Sequence, residues 1–174
     1  WHFDTLTEDL DLSYRAQLKG WKTKFLFDVV APSELPVDIN AYKSQQHRWA
    51  KGSIQTAKKV LPQVFKTNDS LIKKVEAFIH LNQYMVHPMM IILALLSFPL
   101  ILLLKAQMSN MSVSLTMIIL IFLISMGAFA PTFLYIVAQK KGYKDWLKRC
   151  MFIPALMVIG CGIAINNTKA VLEA

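Results

Sequence analysis

Two short stretches of the sequence carry side chains with complementary chemistry. Thr7-Glu8-Asp9 lies near the start, and Gln45-Gln46-His47-Arg48-Trp49 follows further along. The first stretch offers carboxylates, which can act as general bases. The second offers a planar guanidinium suited to phosphate oxygens, and an indole face on which a flat ring can stack. Joining a sugar to an acceptor hydroxyl requires these three functions: a base, a cationic clamp and an aromatic platform.

Asp9 is the candidate base. A sugar hydroxyl is a poor nucleophile, and a carboxylate that takes its proton during attack accelerates the reaction. A position at a helix N-terminus favours the charged, proton-accepting carboxylate. The simpler alternative is that Glu8, Asp9 and Asp11 are ordinary first-turn helix acids.

Gln45, Arg48 and Trp49 are the candidate binding residues. Arg48 follows Gln45 by three positions, so both lie on one face of a helix. Together with Trp49 they could hold a diphosphate and a sugar ring near each other, which lowers the entropic part of a barrier. The alternative is a structural pair in which the arginine packs across the tryptophan ring.

The elements that must position these residues can be predicted from the pattern between them. Thr7 is expected to cap a helix whose apolar stripe is Leu10, Tyr14 and Leu18, and Gly20 ends it. Residues 24–30 are rich in strand formers and predict a strand. Residues 31–36, which include Glu34-Leu35-Pro36, predict a loop, and a helix should begin near Asp38. Both motifs can then face one cleft.

Residues 53–83 are predicted to form amphipathic helices at a membrane interface. Apolar residues fall near one face of the first helix, and lysines flank it: Ile54, Ala57, Leu61, Val64 and Phe65 form the stripe. Basic flanks beside an apolar stripe are typical of a helix that lies on a membrane surface. The alternative is a helix of a protein core. Pro62 is expected to interrupt or kink the helix.

Residues 84–174 predict a membrane region. Spans are expected at about 84–104 and 112–137, and residues 150–167 are either a third span or an interfacial or re-entrant segment. The connection after the second predicted span is rich in lysine and arginine, which favours a cytoplasmic position. The front of the chain is then cytoplasmic too.

The composition of the chain bears on its partners and on possible metal sites. Hydrophobic residues make up 55% of the chain, charged residues 17%, and the mean hydropathy is +0.40. The net charge of +8 does not indicate a nucleic-acid partner, because the basic residues lie beside apolar segments without interleaved aromatics. The cysteines, Cys150 and Cys161, have no metal-ligand spacing, and no metal site is predicted within the chain. The start at Trp1 leads us to expect a fragment.

The motifs taken together resemble family 2 glycosyltransferases, in their cellulose-synthase-like, mannan- and glucomannan-synthase-like branch. The likeness rests on four segments and on a C-terminal one: residues 7–15, Gly20-Trp21-Lys22, Glu34-Leu35-Pro36, residues 45–52, and residues 166–173. It is close over residues 1–60, and the order of amphipathic and apolar segments agrees. As a joint pattern it is highly specific.

The resemblance implies an α/β fold of the GT-A type followed by amphipathic interface helices and a transmembrane helical region. Residues 1–52 are expected to be the acceptor-side part of the GT-A domain, 53–83 the interface helices and 84–174 the membrane region. The acid of the family's TED motif, the general base, falls on Asp9, with Glu8 beside it at the substrate. The QxxRW motif falls on Gln45, Arg48 and Trp49, which bind substrate.

The implied activity is inverting transfer of a hexose from a UDP- or GDP-sugar to a growing β-linked polysaccharide, at the cytoplasmic face of a plasma or Golgi membrane. A divalent metal, Mg²⁺ or Mn²⁺, is expected to be held by a DxD motif outside this chain. The fragment by itself should be inactive. Two alternatives remain: a lipid acceptor, as in enzymes that glucosylate ceramide, and a non-enzymatic membrane transporter or anchor.

Overall fold

The structure is a computed structural model that describes residues 3–26, 29–107 and 131–174. Regular secondary structure in these ranges is helical. The elements are α1 (Glu8–Leu18), α2 (Ile39–Lys66), α3 (Leu71–Leu81), a 3-10 turn (Gln83–Met85), α4 (Val86–Gln107), α5 (131–142), α6 (Trp146–Cys150), α7 (Ile153–Gly162) and α8 (Ala164–Leu172). The chain divides into two compact units, one of Trp1–Ile91 with Ile163–Ala174, and one of Ile92–Gly162.

Helix α1 begins and ends where the sequence predicts. Thr7 occupies the N-cap position, but its side chain makes no capping hydrogen bond. The helix ends in a left-handed glycine, Gly20, with φ of 88°. The amide of Gly20 donates to the carbonyl of Gln17 at 2.9 Å, and that of Trp21 to Ala16 at 3.2 Å. This pair of bonds satisfies the last carbonyls of the helix and needs a residue without a side chain at the turn.

Helix α2 is one continuous helix of 28 residues. Its start is confirmed, because the Asp38 carboxylate accepts hydrogen bonds from the amides of Asn40 at 2.7 Å and Ala41 at 3.0 Å. The expected interruption near Pro62 does not occur, and no second helix begins after Gly52. Buried residues on both sides of the proline hold the helix together by tertiary packing, which outweighs the local preference of proline.

The core of the first unit lies where α2 crosses α1 and α3. It contains Ala57, Val60, Leu61 and Val64 of α2 and Ala77 and Leu81 of α3, with Leu10, Tyr14 and Leu18 of α1 packed against it. The stripe predicted on α1 is therefore confirmed. On α2, Phe65 remains exposed, but the other stripe residues are buried. The stripe of α2 thus packs against α1 and α3, and an interface position for residues 53–83 stays a prediction.

Helix α3 shows the opposite arrangement. Its buried residues are Ala77 and Leu81, whereas the remaining large apolar side chains are exposed: Leu71, Ile72, Val75, Phe78 and Ile79. The apolar surface expected of an interface helix is therefore found on α3 and not on the α2 stripe.

The strand predicted at residues 24–30 is wrong for the residues that the structure describes. Residues 24–26 and 29–30 have no regular secondary structure, and the described ranges contain no strand at all. A strand is stable only when its backbone N–H and C=O groups pair with a neighbouring strand. The α/β part of the expected fold is therefore not seen in the described residues, which are helical.

The structure supports the predicted membrane spans only in part. No helix among the described residues is by itself long and apolar enough to cross a bilayer. Two pairs of helices joined at a bend have enough length and apolarity together, Leu71–Leu81 with Gln83–Pro99 and Trp146–Gly162 with Ala164–Leu172. Residues 84–104 fall on the 3-10 turn and α4, and 150–167 are divided by a break at Ile163. The span at 112–137 lies outside the described residues up to position 130.

Candidate glycosyltransferase site

The segment Thr7-Glu8-Asp9 forms the start of α1, and the chain bends at residues 4–6 just before it. Thr7 is buried, with 8% of its surface exposed, whereas Glu8 and Asp9 are exposed. The Asp9 carboxylate accepts a hydrogen bond from the amide of Leu10 at 2.8 Å. Asp9 lies in the first turn of α1, where the unpaired N–H groups of the helix N-terminus carry partial positive charge.

This segment docks on the side of α2. The amide of Leu6 donates to the side-chain oxygen of Gln55 at 3.1 Å, and the hydroxyls of Thr7 and Thr56 lie 3.3 Å apart. Gly52 faces Thr7 so closely that a Cβ atom built on it would lie 2.6 Å from the Thr7 methyl group. The hydroxyl that does not cap α1 is therefore used to join the two helices.

An ion-pair cluster anchors α1 beside this contact. Asp11 is fully buried and lies 2.8 Å from the Arg15 guanidinium and 3.2 Å from the Lys59 ammonium group. Lys59 also donates to Asp4 at 2.7 Å. The hydrogen bond to Asp4 raises the pKa of Lys59, burial opposes this shift, and the hydrogen bond to Asp11 adds to it, so the Lys59 ammonium group stays protonated at neutral pH.

Asp9-Leu10-Asp11 has the letters of a DxD motif but does not fit a divalent metal. Asp11 is buried between two cations, and Asp9, two residues away on the helix, points elsewhere and is exposed. No group of three or more His, Cys, Asp or Glu side chains in the described part of the chain is arranged to hold a metal ion.

Gln45 and Arg48 share a face of α2 with the residues that receive the Thr7 segment. The spacing from Gln45 to Arg48, Gly52, Gln55, Thr56 and Lys59 follows the helical repeat. Gln45 is half-buried, and Arg48 and Trp49 are exposed. At 1.5 Å of rise per residue, Arg48 precedes Gly52 by about 6 Å along the helix. Thr7, the first residue of the first motif, therefore docks on α2 about one helical turn after Arg48.

The opposite face of α2 contacts α8. The His47 imidazole lies 3.1 Å from the Glu173 carboxylate, and Lys51 lies 3.9 Å from the same oxygen. Asn166 donates to the backbone carbonyl of Lys43 at 2.9 Å. Helix α8 thus binds the face of α2 opposite Gln45 and Arg48.

Two histidines to which the sequence motifs assign no role, His80 and His87, form hydrogen bonds with other side chains. The Tyr14 hydroxyl and Nδ1 of His80 share a hydrogen bond of 2.8 Å, and the two rings stack. Burial, and then the nearby Glu76 carboxylate, raise the pKa of Tyr14, which keeps its hydroxyl protonated. Nε2 of His87 accepts from the side-chain amide of Asn167 at 3.0 Å.

Sequence reasoning assigned no structural role to Gly52, Thr56 or Lys59 in docking the Thr7 segment. Each lies at helical spacing from Gln45 on the same face, which is a signal that could have found them. It also missed His47 and Glu173 as partners, because they are separated by 126 positions. Of the other predicted elements, Glu34-Leu35-Pro36 lies on an exposed loop as expected.

The sequence profile described as "Glycosyl transferase family group 2" matches residues 1–137, which is most of the chain. The chain belongs to this family of glycosyltransferases. The resemblance seen in the motifs is therefore confirmed, and membership implies the GT-A fold and places the chain among transferases.

Several plant proteins are similar to this glycosyltransferase chain. "Probable glucomannan 4-beta-mannosyltransferase 10" of Arabidopsis thaliana is 38% identical over 91 residues, 50% of the chain and 16% of the relative. "Glucomannan 4-beta-mannosyltransferase 7" of the same plant is 43% identical over 75 residues, 42% of the chain and 14% of the relative. "Glucomannan 4-beta-mannosyltransferase 1" of Oryza sativa subsp. japonica is 42% identical over 74 residues, again 42% and 14%.

The chain spans about a sixth or less of the length of these relatives. No solved structure is significantly similar to it. The similarity to the cellulose-synthase-like, mannan-synthase-like branch therefore rests on sequence, and the geometry of the site rests on the contacts described above.

Proposed function

We propose that the chain is the acceptor-side and membrane part of an inverting glycosyltransferase, which transfers a hexose from a nucleotide sugar to a growing β-linked polysaccharide. The observation that carries the proposal is the docking of Thr7 on Gly52. This contact holds the first turn of α1, which carries the exposed Asp9, against α2, the helix that carries Gln45 and Arg48. Inverting displacement of a diphosphate uses a base and a cation, and these two helices carry one of each.

In this mechanism Asp9 is the general base. An acceptor hydroxyl loses its proton to the carboxylate while its oxygen bonds to the anomeric carbon of the donor, and the bond to the nucleoside diphosphate breaks. Attack opposite to the leaving group inverts the configuration at that carbon. Exposure of Asp9 leaves it accessible to an acceptor, and Glu8 beside it is positioned to hydrogen-bond a neighbouring sugar hydroxyl.

Arg48 and Trp49 hold the substrates in this proposal. The exposed Arg48 guanidinium presents two parallel N–H groups to the diphosphate and offsets the charge that develops on it. Gln45 contributes an amide on the same face. Trp49, which is 41% exposed, offers a ring face on which the terminal sugar of the acceptor stacks.

The proposed donor side lies outside this chain. A Mg²⁺ or Mn²⁺ ion bound by a DxD motif elsewhere in the full-length enzyme would neutralise the diphosphate. Asp9 and Asp11 do not provide that motif, since Asp11 is already paired with Arg15 and Lys59.

We further propose that this enzyme is an integral membrane protein with Asp9 on the cytoplasmic side. The exposed apolar side chains of α3, which include Phe78 and Ile79, support attachment to a membrane surface. Lys140, Lys141, Lys144, Lys148 and Arg149 support a cytoplasmic position for the segment that carries them.

Residues 150–167 are proposed to be re-entrant and not to span the membrane. Helix α7 by itself has 10 residues and a length of about 15 Å, against a bilayer core of about 30 Å, although the bent pair Trp146–Gly162 with Ala164–Leu172 has enough length for either a broken span or a re-entrant segment. The contact that favours the re-entrant alternative is that of α8 with α2, the helix that carries Gln45, Arg48 and Trp49, through Asn166 and Glu173. The chain therefore returns to the side from which it entered.

Transfer assays on the full-length enzyme in membrane vesicles test the function. Radiolabelled UDP- and GDP-hexoses are supplied separately, and products are divided into an organic-solvent extract and an insoluble fraction. We expect label in an insoluble polymer that a β-glycanase degrades. Label confined to the lipid extract would indicate a lipid acceptor. Absence of transfer from every donor, with the protein present in the membrane, would contradict the enzymatic proposal.

A further inference from the structure

We propose that Gly52 and Thr56 are positioning residues, which fix the depth at which Thr7, and with it Asp9, docks on the helix that carries Arg48. This inference rests on the proposed function of Asp9 as the base. It assigns a role to two residues that lie outside both sequence motifs and that need not touch substrate.

The contact at Gly52 leaves no room for a side chain. A Cβ atom there would lie 2.6 Å from Cγ2, 2.7 Å from the backbone nitrogen and 2.8 Å from Oγ1 of Thr7. Real Cβ atoms do not approach heavy atoms within 3.0 Å. Rotation of the threonine side chain moves two of these atoms, but the backbone nitrogen stays. The whole segment that leads into α1 must therefore move away from α2.

Helical preference does not explain this glycine. Glycine in a helix interior is less favourable than alanine, and Gly52 lies in the middle of a 28-residue helix. Gly160, which is also inside a helix, has no atom within 4 Å of a built Cβ. Close approach of Thr7 is thus the feature that distinguishes Gly52.

Hydrogen bonds on either side make the docking position specific. Leu6 is held by Gln55, and the Thr7 hydroxyl by that of Thr56, in a buried contact. Lys59 binds Asp4 before this segment and Asp11 after it. The segment is therefore anchored at several points, and a displacement at Thr7 is passed to Asp9, two residues further on, and not absorbed in a loose loop.

A displacement of Thr7 and Asp9 should lower the rate of transfer more than it weakens binding of the donor. Relieving a 2.6 Å contact to van der Waals distance requires a shift of about 1 Å, and a misplacement of that size can cost about a hundredfold in rate. Gln45, Arg48 and Trp49 precede Gly52 on α2 and are not moved by it, so donor binding should remain.

The test uses the full-length enzyme in membranes, with amounts normalised by immunoblot. We expect Gly52→Ala to lower kcat by about thirtyfold to a hundredfold while the donor KM stays within about twofold. Gly160→Ala is the matched control and should keep wild-type kcat. A kcat within threefold of wild type for Gly52→Ala overturns the proposal. So does a loss that arises mainly from a raised donor KM.

Thr56 provides a second test that does not depend on a steric clash. Thr56→Val keeps the shape and removes the hydroxyl, and we expect kcat to fall about fivefold with unchanged donor KM. Thr56→Ser restores the hydroxyl and should return kcat to within twofold of wild type. If Gly52→Ala does not accumulate in membranes, the comparison of Thr56→Val with Thr56→Ser tests the proposal by itself. Equal kcat for these two variants overturns the proposal.

The proposed function and this inference fail separately. Near-normal transfer by Asp9→Asn would contradict the assignment of the base. An inactive Asp9→Asn together with a normal Gly52→Ala would overturn the positioning role alone.

Discussion

Asp9 and Asp11 are alike in sequence and differ in the structure. Both lie in the first turn of α1, yet Asp11 is fully buried between Arg15 and Lys59, whereas Asp9 is exposed. Residues two positions apart on a helix point to different sides, so one carboxylate faces α2 and the other faces outward. The buried acid holds α1 in place, and the exposed acid is available for chemistry.

Replacement of Asp11 should therefore affect stability. In Asp11→Asn the carboxylate charge is lost, and Arg15 and Lys59 are left facing each other across an amide. Breaking a buried pair costs about 3–5 kcal/mol, and we expect about 2 kcal/mol here, because both cations are partly exposed and water screens them. The melting temperature should then fall by about 4–8 °C, which thermal denaturation of the detergent-solubilised enzyme measures.

Asp145→Asn is the matched control, since Asp145 forms an exposed ion pair with Arg149 one helical turn away. Such pairs contribute less than about 1 kcal/mol. Equal melting temperatures for the two variants would contradict the anchoring role of Asp11.

Sequence alone places Gln45 and Arg48 on one helix face, but it does not predict which residues support them. The spacing of Gln45 and Arg48 is local and defines a face of α2 directly. Thr7 and Thr56 are 49 positions apart, and their contact depends on how α1 crosses α2. The hydrophobic periodicity of the sequence does not show where α1 crosses α2. Gly52, which permits this close crossing, therefore cannot be recognised from the sequence alone.

Helix α2 organises the first unit because three of its faces bind different partners. One face receives the Thr7 segment, one packs on α3, and one holds α8. This explains why sequence reasoning divided α2 after Gly52 and at Pro62. Glycine and proline interrupt helices when local preference decides, but here packing on three sides decides. The predicted strand failed for the related reason that pairing partners are not local.

The attachment of α8 to the first residues of α4 should depend on Asn167. This side chain is fully buried and donates to His87, so Asn167→Ala leaves the imidazole without its partner at a cost of about 1–3 kcal/mol. We expect amide hydrogen exchange in α8 to accelerate about tenfold or more, as measured by mass spectrometry on the full-length enzyme.

Glu173→Gln is the corresponding control at the surface. Glu173 is 39% exposed, and its bonds to His47 and Lys51 are screened by water. Exchange in α8 should increase by no more than a few-fold. If Asn167→Ala left the exchange of α8 unchanged, the buried amide would not hold the helix.

The re-entrant course proposed for residues 150–167 rests on where α8 binds. Its attachment to α2 favours a chain that enters the bilayer after Gly142 and returns on the same side. Hydropathy by itself does not distinguish this course from a third span, because an apolar run of this length fits both.

Cysteine labelling tests this topology. In an enzyme whose Cys150 and Cys161 are replaced by serine, single cysteines are introduced as Lys144→Cys, Lys169→Cys and Ser109→Cys. We expect a membrane-impermeant thiol reagent to label positions 144 and 169 from the cytoplasmic side and position 109 from the other side. Labelling of position 169 together with position 109 would show that residues 150–167 cross the membrane.

The central claim is that Asp9 accepts the proton of the attacking sugar hydroxyl. The most direct measurement is hexose transfer by Asp9→Asn in the full-length enzyme, with the neighbouring Glu8→Gln measured beside it. Loss of a general base costs about 10²–10⁴-fold. We expect kcat of Asp9→Asn to fall by at least about a hundredfold at an unchanged melting temperature, and that of Glu8→Gln to fall much less. Near-normal transfer by Asp9→Asn would contradict the mechanism.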